Sequence, residues 1–215
     1  AVLEMNGVGA MEICVSVAAG VCDFISAMDT PRVAEWNMLY HLLNCGFPLK
    51  VSGETDFPCM SGERVGQGRV YVHLGRVRRL DFGAWCDGLA KGRSYVSDGF
   101  AHALEFTVNG IAPGFGEVRL AEPGRVAIRA QVAFAPETPA TVAQGLAVPP
   151  GGQRFVGDTV TLHGPRSDKL AAGGQRLVEL VVNGQAVAAT EVHADGRIHE
   201  LAFDVDVGQS SWIAL

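Results

Sequence analysis

From residue 101 onward, apolar and polar residues alternate one by one. The stretches HALEFTVNG (102–110), RVAIRAQVAF (125–134), RLVELVVNGQAVAATEV (176–192) and RIHELAFDVDV (197–207) all follow this rhythm. A period of two places one set of side chains on each face of a strand, so each segment must bury one face and wet the other. Antiparallel sheets packed in a pair meet that demand. The tripeptide VNG occurs at 108–110 and again at 182–184, and HADGRIH follows at 193–199. Asn-Gly between apolar runs is a hairpin signal. These features predict an all-β sandwich of immunoglobulin-like type over residues 100–215, without the Cys and Trp pattern of antibody domains. Between its strands, APETPATVAQGLAVPPGGQ (135–153) reads as a long exposed loop.

The first 99 residues have another rhythm. AVLEM, CDFISAM, PLKVSGE, RVYVHL and SYVS read as short strands, with helical stretches between several of them. GAMEICVSVAAG suits a short helix with Met11, Val15 and Ala18 or Ala19 on one face. The next helix is clearer: Thr30 caps it, Pro31 suits its first turn, and Trp36, Leu39, Tyr40 and Leu43 follow at helical spacing. Gly46 supplies its stop. A third helix begins at Asp81, carries Phe82, Trp85 and Leu89, and ends at Gly92. Strands alternating with helices imply βαβ units and a parallel sheet, so the expected architecture is α/β for residues 1–99, then a β-sandwich for 100–215.

Composition sets limits. Of the 215 residues, 48% are hydrophobic and 19% charged, which is enough apolar material for a full core. The net charge of −6 argues against nucleic acid as a partner. GRVRRL (75–80) is the nearest thing to a basic stripe and reads as a solvated connection. The apolar run ICVSVAAGVC falls well short of the roughly 18 to 20 residues of a membrane span. Ala1 at the start and SSWIAL at the end suggest further sequence on both sides. Cys14, Cys22, Cys45, Cys59 and Cys86 form no CxxC pair and read as buried free thiols.

Four apolar segments of the first half finish in acids: VLEMN with Glu4, DFISAMD with Asp29, KVSGETD with Glu54 and Asp56, and SYVSD with Asp98. Parallel strands would gather these carboxylates on one rim. Crowded carboxylates repel one another, and a cation between them relieves that. Asp29 next to a helix cap and Asp98 in a turn also have ordinary structural uses. His102 lies just beyond the last acid-bearing strand and is the candidate ligand or proton carrier among the histidines. His41, His73, His163, His193 and His199 read as structural or solvated.

WNMLYHLLNCGFPLKVSGETDF, GRVYV and DFGAWCDGLAKGRSYVSDG together resemble the C-terminal half of the CehA/McbA-type branch of the PHP (polymerase and histidinol phosphatase) superfamily of metallohydrolases. The resemblance implies a distorted β/α barrel with metal ions at the carboxyl ends of its strands, often followed by a β-rich tail. It implies Asp56 as a metal ligand and Glu4 near the site. Asp29 joins them as a group at the metal, and Glu54 as a ligand or base. The metal would be zinc, manganese or iron, and the substrate a small ester or phosphoester. Three departures stand out: the family's H-x-H pair is absent and expected before Ala1, Pro58 replaces a common histidine, and Glu54 stands where small residues are usual. The expected function is therefore a hydrolase fragment lacking its imidazole ligands. The alternative is a non-catalytic scaffold whose sandwich binds carbohydrate or a protein.

Overall fold

The computed structural model describes residues 12–27, 32–54, 68–139 and 170–215. By contacts the chain divides into two units. One holds residues 1–71, 95–100 and 137–171; the other holds 72–94, 101–136 and 172–215.

In the first unit, helix α1 (Ile13–Ala18) precedes strand β1 (Phe24–Ala27), helix α2 (Arg32–Asn44) and strand β2 (Lys50–Gly53). Strands β1 and β2 pair in parallel, Phe24 opposite Lys50 and Ala27 opposite Gly53. Val17, Ile25, Met38, Leu39, Leu42 and Leu49 form the core beneath them. This is the βαβ unit expected from the alternation. The α2 stop is also as expected. Gly46 adopts φ +86, its N–H donates to the Leu43 carbonyl, and the Phe47 N–H donates to that of Leu42. That pair of bonds is the Schellman pattern. Thr30 and Pro31 lie outside the described residues.

The buried face of α1 differs from the expected one. Val15 is exposed, whereas Val17 is buried with Ile13 packed beside it. Residues 13 and 17 are one helical turn apart and share a face; Val15 projects from the other side. The thiols were misjudged for a similar reason. Cys14, Cys45 and Cys86 are exposed and Cys22 is half-buried. Cys14 on α1, Cys45 directly after α2 and Cys86 on the third helix all reach solvent.

Strand β3 (Arg69–Val72) pairs with β4 (Ser94–Ser97). The His73 N–H donates to the Arg93 carbonyl at 2.8 Å, and the Tyr71 ring stacks on Tyr95 with centroids 5.1 Å apart. Both contacts fit only strands running in opposite senses, since each step back from residue 73 matches a step forward from 93. The uniform parallel sheet expected from strand–helix alternation is therefore not formed. Among the described residues β1 and β2 pair in parallel, and no closed barrel is present. Helix α3 (Phe82–Ala90) stands in the connection between β3 and β4. The Asp81 carboxylate caps it, accepting the Ala84 N–H at 2.7 Å. Its buried side is Gly88 and Leu89, with Trp85 half-buried and Phe82 exposed. Gly88 is needed there, because a Cβ would lie 2.5 Å from Val72 Cγ1.

The second unit contains two three-stranded antiparallel sheets. Strand β6 (Gly124–Phe134) is central in one, between β5 (Ala101–Val108) and β11 (Ile198–Val207). Strand β9 (Gln175–Val182) is central in the other, between β10 (Gln185–His193) and β12 (Ile213–Ala214). Val126, Ile128, Ala130 and Val132 of β6 meet Val178 and Leu180 of β9, with Val192, Leu201 and Phe203 completing the core. Every second residue faces inward, as the alternation requires. Strands β7 (Glu137–Pro139) and β8 (Leu170–Ala172) form a further short pair. The segment from Ala135 is thus not wholly an exposed loop, for Thr138 is buried.

The two Asn-Gly turns do more than turn the chain. Asn109 and Asn183 both take positive φ, 49° and 50°. The Asn109 N–H donates to the Ala127 carbonyl, and its Oδ1 accepts the Ala127 N–H, each at 2.8 Å. Asn183 makes the same two bonds with Trp212, at 3.2 and 3.1 Å. Each asparagine therefore brackets a neighbouring strand and satisfies both its backbone groups. The second turn joins β9 directly to β10. The first does not join β5 directly to β6, which begins at Gly124 after a longer connection.

Leu180 is completely buried between the sheets. Leu180→Ala should cost about 2–5 kcal/mol, read as a lower urea midpoint. Asp195 accepts hydrogen bonds from the His199 ring at 2.9 Å and the Arg197 N–H at 2.9 Å. These, with the His199 bond first, hold its carboxyl below the usual aspartate range. A lowered folded pKa contributes stability above the unfolded value, and that contribution fades as pH falls through the folded one. Asp195→Asn should therefore lower the thermal midpoint at neutral pH and flatten its decline under acid, measured between pH 7 and pH 2.

Candidate functional site

Parallel strands β1 and β2 end side by side. Just past them, the Glu54 N–H donates to the Ala27 carbonyl at 3.2 Å. The Glu54 side chain is exposed. This places one acid from the sequence reading at the carboxyl edge of the pair. Asp29 and Asp56 belong to the segments that continue from these two strand ends, and Glu4 to the N-terminal stretch. All three lie outside the described residues.

A third strand ends at the same place. Gly53, the last residue of β2, lies so close to Arg69 that a Cβ on it would sit 2.5 Å from the Arg69 carbonyl oxygen. The guanidinium of Arg69 lies directly against Gly99, the residue after Asp98. Because β3 runs opposite to β4, the start of one is the end of the other, and Arg69 links them. The carboxyl ends of β1, β2 and β4 therefore gather around Arg69, although the sheet is not uniformly parallel. Asp98 is occupied in its turn: its Oδ1 accepts the Phe100 N–H at 2.9 Å, and the Ser97 Oγ accepts the Gly99 N–H at 2.8 Å. Gly99 has φ +86, so a side chain there would be strained as well as obstructed.

Arg69 Nη1 also donates to the Tyr71 hydroxyl at 3.4 Å, and Tyr71 stacks on Tyr95 at an interplanar angle of 9°. Burial, followed by the neighbouring Tyr71, pushes the Tyr95 hydroxyl above the usual tyrosine range. The Tyr95 ring therefore offers a hydroxyl rather than a phenolate. The sequence reading did not single out Arg69, Tyr71 or Tyr95. The spacing R-x-Y in a strand puts two such groups on one face, but the partner Tyr95 comes from 24 positions onward.

His102 falls in the other unit. It sits on β5, half-buried, opposite Ala133 of β6. His199 is bound to Asp195, and His41 and His73 are exposed. Among the described residues, no three His, Cys, Asp or Glu side chains come together as a metal-binding group. Glu54 alone cannot hold a metal ion, and Asp98 already accepts a backbone bond. The described donors are therefore all oxygen and too few for a zinc site, which takes nitrogen or sulfur ligands and usually four of them.

These elements define a class: a parallel βαβ pair and an antiparallel hairpin in one chain with a two-sheet antiparallel β-structure. Compared with protein-family models, curated proteins and solved structures, the chain gives no significant match.

The close contact of Gly53 with Arg69 is backbone against backbone, so neither can swing away. Gly53→Ala should cost about 1–3 kcal/mol through overpacking and weaken the Tyr71–Tyr95 near-ultraviolet circular dichroism. A control at Gly20, whose added Cβ meets nothing within 4 Å but whose φ is +70, separates strain from collision.

Proposed function

We propose that the first part of this chain is the acidic half of a metal-dependent hydrolase site acting on an ester or phosphoester. The observation that carries the reading is the gathering of the β1, β2 and β4 carboxyl ends at Arg69, with Glu54 on that edge. Open α/β sheets use this edge for binding. The resemblance to PHP-type metallohydrolases makes Asp56 a metal ligand and puts Glu4 near the site; Asp29 would be a further group at the metal, and Glu54 would hold metal or serve as a base. His102 would serve as a ligand or proton carrier. A divalent metal in such a site lowers the pKa of a bound water and polarises the bond to be cleaved.

This chain's own residues have a narrower task. Arg69 would supply a fixed positive charge at this edge, which lowers the cost of holding acids together there before any metal arrives. Its bond to Tyr71 and its seat against Gly53 and Gly99 fix where that charge sits. Without imidazole ligands the chain should bind metal weakly and hydrolyse nothing. A second reading is a non-catalytic scaffold whose β-structure binds carbohydrate or a protein partner. It is favoured by the want of a three-ligand group among the described residues.

Calorimetric titration with Mn²⁺ and Zn²⁺ separates the readings. The hydrolase reading expects weak binding that drops at least tenfold in Asp56→Ala and falls in Glu54→Gln. It also expects no turnover of p-nitrophenyl phosphate or acetate by the chain alone. Identical titrations for the native chain and Asp56→Ala would leave the scaffold reading standing.

A further inference from the structure

The segment leading into α3 carries an unusual surface. Leu80 is 80% exposed and Phe82 77%, and the Phe82 ring stacks on Trp85 with centroids 6.1 Å apart. Arg76, Arg78 and Arg79 precede them in the chain, all exposed and, among the described residues, none in an ion pair or hydrogen bond. The one acid within this run, Asp81, is occupied in capping α3. Apolar tips preceded by unpaired cations form a projecting knob. A solvated connection would not need the leucine and two aromatics.

The same unit carries a surface of opposite character. On the outer face of the β9–β10 sheet, Leu177 is 61% exposed and lies opposite Glu191; Glu179, two residues on, lies opposite Ala189. Both glutamates are exposed and neither has an ion-pair or hydrogen-bond partner. Leu177 and the diagonal Ala189 form a small apolar strip between the two glutamates.

We propose that these surfaces are partners in self-association: the Arg78–Phe82 knob of one copy docks on the outer face of the β9–β10 sheet of a second. Leu80 and Phe82 would rest on Leu177 and Ala189, while the arginines meet Glu179 and Glu191. The chain's net charge of −6 favours an acidic protein surface over an anionic membrane as the place these arginines reach, because the rest of the molecule would be repelled by such a membrane. The two patches differ, so the contact is heterologous and propagates to larger assemblies as concentration rises. A contact carried by so few side chains makes the association weak and reversible. Its charged part weakens as salt shortens the Debye length.

Sedimentation velocity of the full chain tests this. The native chain should show a weight-average sedimentation coefficient that climbs with concentration and falls back in about 0.5 M salt, where the Debye length drops below about 5 Å. Arg78→Glu with Arg79→Glu should stay monomeric, as should Glu179→Arg with Glu191→Arg. Mixed together, the two charge-reversed proteins should assemble again, since each presents the complement of the other. Leu80→Ser with Phe82→Ser, at positions already in water, should abolish association without lowering the thermal midpoint. A native chain that is monomeric at every concentration overturns the proposal, and so does a mixture that fails to assemble. Co-sedimentation of a monomeric native chain with phosphatidylserine vesicles would assign the knob to lipid and overturn it equally.

Discussion

The inward face of β6 is the constraint on which the larger part of the structure rests. Val126, Ile128, Ala130 and Val132 point the same way along one central strand and cannot all be covered by the sheet they belong to. A second sheet must lie over them, and Val178 and Leu180 of β9 supply its centre. Each strand on either side then has its register set, because a slip of one residue would turn its apolar set to water. The unbroken ten-residue register of β6 with β11 follows from this. The asparagines of the two VNG turns act at the margins of the same arrangement, each closing off a backbone that burial would otherwise leave without partners.

The smaller core beneath β1 and β2 works by a related rule with a different period. Met38, Leu39 and Leu42 of α2 form a helical stripe, and Ile25 and Leu49 meet it from the strand side. That packing makes β1 and β2 parallel neighbours and brings their carboxyl ends together. The hairpin of β3 and β4 then reaches the same edge by a contact between backbones. Glycine at 53 and 99 is the condition for it, since any side chain would push Arg69 out of place. The candidate site is therefore built by close approach at three strand ends rather than by a continuous sheet.

Local chemistry was readable where one residue type has one strong use. Asp81 as a cap, Gly46 as a stop and the Asn-Gly turns could be placed from the sequence, because caps and positive φ values depend on nearest neighbours. The period-two half was readable for the same reason. Errors arose where a face had to be chosen. Val15 was grouped on the apolar face of α1, yet it faces water. A short helix offers two or three apolar stripes, and only the neighbour present decides which is buried. The cysteines were misplaced on the same ground.

The amino-acid sequence alone determined the strand and helix periods, the main turns and the recurrence of acids after apolar segments. These depend on residues within a few positions of one another, so they survive without knowledge of the fold. Tertiary structure decided the opposite senses of β3 and β4, the meeting of Gly53, Arg69 and Gly99, and the stacking of Tyr71 on Tyr95. Those contacts join residues 16 to 30 positions apart. Their geometry depends on which backbones can approach closely in space, and no local pattern of hydrophobicity or charge records that.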